Sequence, residues 1–388
     1  MSYLKNNTVR RVFLVLLLSL LLLGLNSCKK SEKEKSTTEG AEVMTSSVTI
    51  KYAKGFRVED RDGYRLVTIT DPLEESDLTY KYALVPKGTA PDGIPADCEV
   101  LKVPVNRTIC MTALQMSDFI ALDETDKIVG INSIKYLFNP KIKEQIASGK
   151  TAKIGIEGNF DTEVILSIAP ELILVSPFKK GGYDVLRSLG IPLVTFLGYK
   201  EPLALGQAEW MKFVGMLLGE EDKARETFEA IEDRYLKLVD LAKTAKAHPT
   251  VMSGEMHGGN WYVVGGRSYL ANLFRDAGAE YFLKDDTRSG AFYTDFETIY
   301  ADGAETEFWR IANSYPGAFT YDALEDEDAR YADFRAFKER KVIYCNLRET
   351  PFYENTPVEP DVVLSDLIKV FHPELLPDYE PVYYKLLP

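Results

Sequence analysis

A long amphipathic segment in the middle of the chain constrains the fold more than any other feature. Residues Asp222 to Lys246 contain no glycine or proline, and their apolar positions recur in steps of four and three, the spacing of one helical face. Such a helix would be roughly 37 Å long, about the width of a domain. That spacing is also typical of an ordinary surface helix, but strand–helix alternation on both sides favours a stiff connection between two α/β lobes. The apolar positions are Ala224, Phe228, Ile231, Tyr235, Leu238 and Ala242.

Composition excludes some classes of partner. The 388 residues are 45% hydrophobic, which is enough for one or two sizeable cores. The formal net charge of -13 argues against nucleic acid as a partner. The three histidines, His248, His257 and His372, leave little room for a site built from several histidine ligands.

The first 28 residues have the features of an export signal. A basic start with Lys5, Arg10 and Arg11 precedes an apolar run, Val12 to Leu23, that is too short for a comfortable membrane span. The run ends at Leu25-Asn-Ser-Cys28, which resembles the bacterial lipobox. We expect Cys28 to carry lipid and anchor the protein to a membrane. The alternatives are a secretory signal cut near Ser27 and an uncleaved anchor.

The chain after Cys28 changes character twice before the first lobe. Residues 29–47 are polar and charged, which predicts a flexible tether. Residues 48–103 alternate apolar and polar positions and predict a β-rich extension with a hairpin turn at Asp62-Gly63 and a first strand over Val48 to Ala53. Three other cysteines, Cys98, Cys110 and Cys345, show no metal-site spacing, and they are interpreted either as core residues or, for the first two, as a disulfide.

Residues 104–388 read as two rounds of alternating strands and helices. The predicted fold class is therefore α/β, with two Rossmann-like lobes joined by one long rigid helix and preceded by the β-rich extension. The N-terminal lobe is assigned to residues 104–202, a helical linker with the long helix to 203–247, and the C-terminal lobe to 248–388. In the last predicted helix, Pro360 to Phe371, Asp361 and Asp366 are expected to face outward.

One short motif occurs in both lobes. Asp161-Thr-Glu163-Val-Ile, with Glu171 following, matches Asp295-Phe-Glu297-Thr-Ile, with Glu305 following. Either aspartate can cap a helix N-terminus, and an acid in the first turn suits the helix dipole, so a local role is sufficient. The match also places one carboxylate at an equivalent exposed position of each lobe.

The order of these elements resembles the periplasmic solute-binding proteins of ABC importers for iron–siderophore, haem and vitamin B12. The resemblance covers about residues 104–388, whereas the β-rich extension and the lipobox look like Bacteroidetes-type lipoprotein variants of that family. The segments that carry it are Arg107–Thr112, Lys127–Ile131, Asn159–Glu163, Trp261–Ser268, Asp276–Ala279 and Asp295–Glu297.

The resemblance implies a monomeric, non-catalytic protein that hands a small-molecule metal chelate to an ABC permease and its ATPase. In this family one glutamate of each lobe docks onto arginines of the permease, and the matching positions here are Glu163 and Glu297. The ligand would lie in the cleft between the lobes, at the carboxyl ends of the strands. No intrinsic cofactor or structural metal is implied.

Candidate ligand contacts are the side chains that follow the predicted strands, where aromatic rings suit a large planar ligand and arginines suit an anionic one. Residues Gly254 to Tyr262 are expected to form a flexible glycine-bearing loop in this cleft. Our main candidates are His257, Met256, Trp261, Arg267, Arg348 and Tyr353 in the C-terminal lobe, and Tyr136, Phe178 and Tyr199 in the N-terminal lobe. Secondary candidates are Gln115, Ser176, Glu255, Arg288, Phe352 and Glu354.

The leading functional hypothesis is capture of an iron chelate, such as a ferric siderophore. Haem and cobalamin are the alternatives within the same family, and His257 would be the axial contact for either. An anchored enzyme on this fold is the alternative from another class, although no Gly-x-Ser-x-Gly, Walker or His-Glu-x-x-His motif occurs. A carrier of free zinc or manganese ranks last because the histidines are few and widely spread.

Overall fold

The chain ahead of the first lobe forms a four-stranded sheet. The computed structural model describes residues 47–74, 76–156, 158–176 and 183–388. The strands follow one another in sequence order, with the first three antiparallel and the last pair parallel. The predicted turn at Asp62-Gly63 joins the first two. The strands are β1 (Phe56–Arg61), β2 (Tyr64–Thr70), β3 (Thr79–Pro86) and β4 (Glu99–Val103).

The predicted first strand, Val48 to Ala53, is wrong, because its backbone bonds to side chains instead of to a neighbouring strand. The buried carboxylate of Glu209 accepts the N–H groups of residues 51–53 at 2.6–3.0 Å. Glu201 accepts those of residues 54 and 55 at 2.8–3.0 Å. These bonds satisfy the donors that a sheet would otherwise pair, and they fasten the segment to the helical linker.

The N-terminal lobe is built on a parallel sheet of order β11-β10-β5-β6-β7. The sequence predicts strands over Arg107–Thr112, Lys127–Ile131, Pro170–Val175 and Ile191–Phe196 and a first helix over Ala113–Ala121, and all five elements are present. The elements are β5 (Thr108–Cys110), α1 (Ala113–Ala121), β6 (Ile128–Ile131), α2 (Pro140–Ala147), β7 (Ala152–Lys153), β8 (Gly155–Ile156), β9 (Asn159–Phe160), α3 (Thr162–Ser167), β10 (Leu172–Val175), α4 (Asp184–Arg187) and β11 (Leu193–Thr195).

Three helices follow, α5 (Ala204–Glu209), α6 (Met211–Leu218) and the long α7 (Glu221–Ala242). The predicted stripe of α7 is confirmed, since Ala224, Phe228, Ile231, Tyr235 and Ala242 are buried. The helix ends at Ala242, one turn before Lys246. Side chains of the extension, both lobes and this helix pack into one core, with Val67, Leu174, Phe228 and Leu367 among them.

The C-terminal lobe has a sheet of order β15-β12-β17-β18-β19, parallel except for its last strand, and a separate three-stranded sheet β13-β14-β16. The two-lobed α/β architecture is thus as predicted. The elements are β12 (Thr250–Ser253), β13 (Glu255–His257), β14 (Asn260–Val264), α8 (Tyr269–Asp276), β15 (Glu280–Tyr281), β16 (Ala291–Thr294), α9 (Phe296–Gly303), β17 (Phe308–Asn313), α10 (Tyr321–Glu327), α11 (Arg335–Lys338), β18 (Val342–Asn346), α12 (Phe352–Asn355), α13 (Pro360–Phe371) and β19 (Lys385–Leu386).

Two acids of α13 contradict their predicted outward orientation. Asp366 is fully buried and accepts the N–H groups of residues 382–384 at 2.6–2.9 Å, so it holds the C-terminal segment against the helix. Asp361 is also buried and pairs with Arg234 of α7 at 2.5 Å. Helical spacing identified the inward apolar positions, but it did not reveal that a later segment covers the other face.

Two further observations concern the described residues. Cys98, Cys110 and Cys345 are all unbridged there, so the proposed disulfide is not formed and the alternative of separate thiols applies. None of the helices in this part of the chain is long and apolar enough to span a membrane.

Candidate functional site

The two lobes meet at the carboxyl ends of their parallel strands. Tyr136, which follows β6, places its hydroxyl 3.1 Å from that of Ser314, which follows β17. The Tyr136 ring also meets Tyr353, in α12 after β18, edge-on with 5.0 Å between ring centroids. Glu354 adds a second bridge, because its buried carboxylate accepts the N–H groups of Phe138 and Asn139 at 2.8 and 2.9 Å. These contacts join the two lobes, and we call this junction, at the base of the expected inter-lobe cleft, the cleft floor.

On the N-terminal side, the strand ends are closed by an internal polar network. The Gln115 amide oxygen accepts the N–H groups of Met111 and Thr112, and its amide nitrogen donates to Ser176 at 2.9 Å. The Ser176 hydroxyl donates in turn to the carbonyl of Phe196 at 3.2 Å. Gln115 and Ser176 are buried and satisfied, so they hold three strand ends together instead of presenting polar groups to a ligand.

On the C-terminal side, the predicted flexible loop is a β-hairpin. Gly258 and Gly259 both have positive φ, 58° and 88°, and form a two-residue turn of the kind that needs left-handed residues. The register pairs Glu255 with Tyr262 and Met256 with Trp261. Since side chains alternate between the faces of a strand, neighbours along this hairpin point in opposite directions.

One face of this small sheet is exposed and aromatic, and we call it the tyrosine face. Tyr262 of β14 and Tyr293 of β16 are paired in register, 45% and 57% exposed, with their ring centroids 5.2 Å apart. His257 stacks on Tyr293 at 6.4 Å. The tyrosine face consists of Glu255, His257, Tyr262 and Tyr293.

The tyrosine face borders the cleft floor. The Glu255 carboxylate accepts a hydrogen bond of 2.9 Å from Asn313, the last residue of β17. Tyr353 lies within electrostatic range of Tyr262 as well as in contact with Tyr136. Burial raises the pKa of the Tyr353 phenol, and the adjacent Tyr136 phenol acts in the same direction. Of the predicted contacts, the structure therefore places His257 on the tyrosine face, and it places Tyr353 against Tyr136 on the cleft floor.

Trp261 lies on the opposite face of the hairpin and is a core residue instead of a cleft wall. Its side chain has no exposed surface and packs against Trp309 and Phe334, each with a centroid separation of 5.7 Å. Its indole N–H donates to the carbonyl of Ser253 at 3.1 Å. Met256, on the same face, is partly buried against this cluster. The period-two alternation across the Gly-Gly turn would have selected Tyr262 in place of Trp261.

The predicted arginines differ in what they contact. Arg348 is exposed at the cleft floor, and its Nε donates to the carbonyl of Ser314 at 2.6 Å. Arg288 is paired with Asp286 and stacks over Phe292. Arg267 is exposed in the segment after β14. Burial acts to raise the pKa of Tyr136, but the Ser314 hydroxyl, Lys135 and Arg348 together hold that pKa below its ordinary value.

Arg310, in the middle of β17, is an arginine that the sequence analysis did not select. It is partly buried, its guanidinium donates to the Tyr384 hydroxyl, and it lies over the Tyr384 ring at 5.0 Å. It is also within electrostatic range of Tyr353 and Glu255. An arginine within the otherwise apolar run Phe308-Trp-Arg-Ile-Ala was the signal in the sequence, because charged residues rarely enter a strand interior without a function.

Glu255 is the acid of the tyrosine face. Burial raises its pKa to about 7. The Asn313 hydrogen bond and, more weakly, Arg310 oppose this rise, whereas Glu327 adds to it. Glu255 is therefore partly protonated near neutral pH, and it supplies less than a full negative charge to the cleft.

The remaining predicted ligand contacts are not part of the tyrosine face or the cleft floor. Tyr199 is partly buried in the turn after β11 and packs against the main core. Phe352 packs edge-on against Tyr353 and Tyr384. Phe178 and the proposed lipid acceptor Cys28 fall outside the described residues.

The motif shared by the lobes forms the same local structure in each. Asp161 caps α3 by accepting the N–H of Val164 at 3.0 Å, and Asp295 caps α9 by accepting the N–H of Thr298 at 2.7 Å. Glu163 and Glu297 are exposed in the first turns of these helices. Glu297 has one loose ion pair, with Arg330 at 3.8 Å. The local capping interpretation is confirmed, and both glutamates remain available to a partner.

The fold and the geometry of this site can now be compared with those of known proteins. The family model described as periplasmic binding protein matches residues 109–348, and the chain belongs to this family of solute-binding components of ABC importers. It is accordingly a binding protein and not an enzyme. Within the described residues, no group of three or more His, Cys, Asp or Glu side chains could hold a bare metal ion.

A relative and two solved structures illustrate the match. An uncharacterised lipoprotein of Methanocaldococcus jannaschii is 24% identical, with 94% of each chain covered. A periplasmic haem-binding protein from Pseudomonas aeruginosa has a TM-score of 0.57 at 18% identity, covering 73% of this chain and 98% of its own. An ABC-type Fe³⁺-hydroxamate transport protein from Saccharomonospora viridis has a TM-score of 0.53 at 17% identity, covering 69% and 94%. These structures share the fold of this chain.

Proposed function

We propose that this chain is a lipid-anchored substrate-binding protein that captures an iron chelate between its lobes and delivers it to an ABC permease. The observation that carries the proposal is the tyrosine face, which borders a cleft floor formed by Tyr136 and Tyr353. Exposed aromatic rings beside a polar floor suit a large chelate that stacks and accepts hydrogen bonds. The iron would belong to the ligand and arrive already chelated.

The anchor and the docking contacts complete the proposal. Lipid on Cys28 would hold the protein at the membrane on the periplasmic side of the cell envelope, and the lipoprotein relative supports this location. Glu163 and Glu297, one on each lobe, would pair with permease arginines through charge-assisted hydrogen bonds. Two separated contacts would fix the orientation of the protein on the permease as well as contribute to its affinity for the permease.

Haem is a second candidate, and one observation favours it. His257 is exposed on the tyrosine face and stacked on Tyr293, so its imidazole can reach a planar metal complex lying on that face. The haem-binding protein of similar fold agrees with this candidate. Cobalamin is the third candidate ligand.

A ligand screen tests the proposal. Soluble protein lacking residues 1–28 is titrated with ferric siderophores, haem and cobalamin, while aromatic fluorescence and visible spectra are recorded. Saturable quenching by a ferric siderophore without a Soret change is the expected result. A Soret shift that is lost in His257→Ala would move the assignment to haem, and tight binding of cobalamin alone would move it to vitamin B12. Binding of none of these ligands would contradict the proposal.

A further inference from the structure

Arg310 is partly buried and lacks the carboxylate partner that Arg65 and Lys212, two buried cations of the described chain, have. Arg65, whose side chain is 1% exposed, pairs with Asp60 at 2.7 Å and with Glu221 at 2.6 Å. Lys212, 8% exposed, pairs with Glu209 at 2.7 Å. Arg310 forms no ion pair within 4.0 Å with any described residue, and its hydrogen bonds go to a neutral phenol, Tyr384.

The surroundings of Arg310 do not neutralise it. Three other tyrosines, Tyr269, Tyr281 and Tyr353, lie within its electrostatic range, and all of them are uncharged at neutral pH. Glu255 is an acid that interacts with it, but the Glu255 carboxylate is bonded to Asn313 and is not within ion-pair distance of Arg310. A buried cation without a counter-ion is costly, because desolvation is not offset by a nearby negative charge.

The position of Arg310 connects this unpaired charge to the cleft. Its partner Tyr384 packs against Phe352, and Phe352 packs in turn against Tyr353 of the cleft floor, each with 5.7 Å between ring centroids. Arg310 is partly exposed, and none of the described residues accepts a hydrogen bond from its Nη1. A ligand that covers the tyrosine face and the cleft floor would therefore also cover the guanidinium.

We propose that Arg310 is the residue that selects ligands by charge, so that the cleft takes chelates with net negative charge and discriminates against neutral chelates of the same metal. An anionic oxygen of the ligand supplies the missing counter-ion, in a charge-assisted hydrogen bond. A neutral chelate would displace water from the guanidinium without supplying a negative charge in its place. This inference rests on the proposed function and goes beyond it by naming the charge class of the ligand.

Two ferric chelates of similar bulk test the proposal on the wild-type chain from residue 29 onward. A ferric tris-catecholate carries three negative charges, and a ferric trihydroxamate without ionised substituents carries none. We expect the catecholate to bind at least about tenfold more tightly, which is the size of one hydrogen bond to a charged group. Its affinity should also fall more steeply with added salt.

Variants of Arg310 test whether this residue causes the difference in affinity between the two chelates. Arg310→Gln should weaken the catecholate by roughly tenfold or more and change the hydroxamate by less than about twofold, while Arg310→Lys should restore part of the loss. Arg225→Gln removes an exposed arginine of α7 and serves as the matched control with unchanged affinity. Thermal unfolding shows whether each variant folds. If Arg310→Gln does not fold, the comparison of the two chelates on the wild type still tests whether the cleft selects by charge.

The binding results distinguish failure of charge selection by Arg310 from failure of the proposed function. Equal or tighter binding of the hydroxamate by the wild type would overturn the inference and leave iron-chelate capture standing. Catecholate affinity unchanged in a folded Arg310→Gln would also overturn it. Failure of both ferric chelates to bind would remove the inference together with the proposed function.

Discussion

The two walls of the cleft are made differently although both sheets are built mainly from parallel strands. In the described part of the N-terminal lobe, Gln115 and Ser176 use their polar groups on each other and on the backbone, so the strand ends are closed. In the C-terminal lobe, the chain leaves β12 to form an additional three-stranded sheet that turns Tyr262 and Tyr293 outward. We therefore propose that recognition chemistry is concentrated in the C-terminal lobe, opposite the closed strand ends of the N-terminal lobe.

Helices α3 and α9, one in each lobe, show the opposite relationship. Asp161 with Glu163 and Asp295 with Glu297 form the same capped helix start in both lobes. This contrast separates two tasks: a ligand meets an asymmetric cleft, whereas a two-fold permease would meet two similar surfaces.

The largest expected effect tests the register that creates the tyrosine face. Trp261→Ala should lower the free energy of unfolding by about 3–5 kcal/mol, because it empties a fully buried site. Tyr262→Ala, one residue later but on the exposed face, should change it by less than about 0.5 kcal/mol. Urea unfolding measures both values. Equal losses for the two variants would show that the faces are not separated as described.

The next effect tests the symmetric ends of the lobes. Glu163→Lys and Glu297→Lys should each reduce ligand uptake by roughly tenfold to a hundredfold, the range for losing one charge-assisted contact. Ligand affinity should not change, because neither residue lies in the cleft. Glu226→Lys on α7 is the control with the same charge change at an exposed site. Normal uptake by both docking variants would refute the role of these glutamates.

A smaller effect compares aromatic rings on the two walls. Tyr262→Ala or Tyr293→Ala should weaken chelate binding about threefold to tenfold, as expected for one stacking contact. Tyr199→Ala in the N-terminal lobe should weaken it less than about twofold. Fluorescence titration gives the dissociation constants. A larger loss at Tyr199 than at Tyr262 would reverse the proposed asymmetry.

The smallest effect concerns the acid of the tyrosine face. The folded-state pKa of Glu255 is raised to about 7, so the folded protein binds more protons than the unfolded chain, and stability falls as pH rises from about 4.5 towards 7. Glu255→Gln removes this titration and should raise Tm at pH 8 by a few degrees relative to the wild type. At pH 4 the variant and the wild type should melt together. A stabilisation independent of pH would contradict the assignment.

Local patterns in the sequence predicted much of this fold. The bounds of α1 and α13 agree with prediction, and the apolar stripe of α7 was identified from its spacing, because the helical period is a property of neighbouring positions. Tertiary partners were not readable in this way. Glu209 and Asp366 bind backbone segments far away in the chain, and no local pattern indicates that a carboxylate has such a partner.

The candidate site shows the same limit at closer range. Strand β13 has three residues, which is too short for alternation to stand out, so the hairpin was interpreted as a loop and Trp261 was chosen before Tyr262. Arg310 was overlooked because candidates were sought after the strands, whereas this arginine lies within one. Its significance depends on the missing carboxylate, which only the three-dimensional arrangement reveals.

Hydrogen–deuterium exchange on addition of a ferric tris-catecholate tests the central claim most directly, namely that the C-terminal lobe supplies the recognition surface of the cleft. We predict that protection increases most in residues 255–264 and 291–294. Smaller changes are expected at the N-terminal strand ends, residues 111–115 and 196–200. Protection confined to those N-terminal segments, with the hairpin unchanged, would contradict this account.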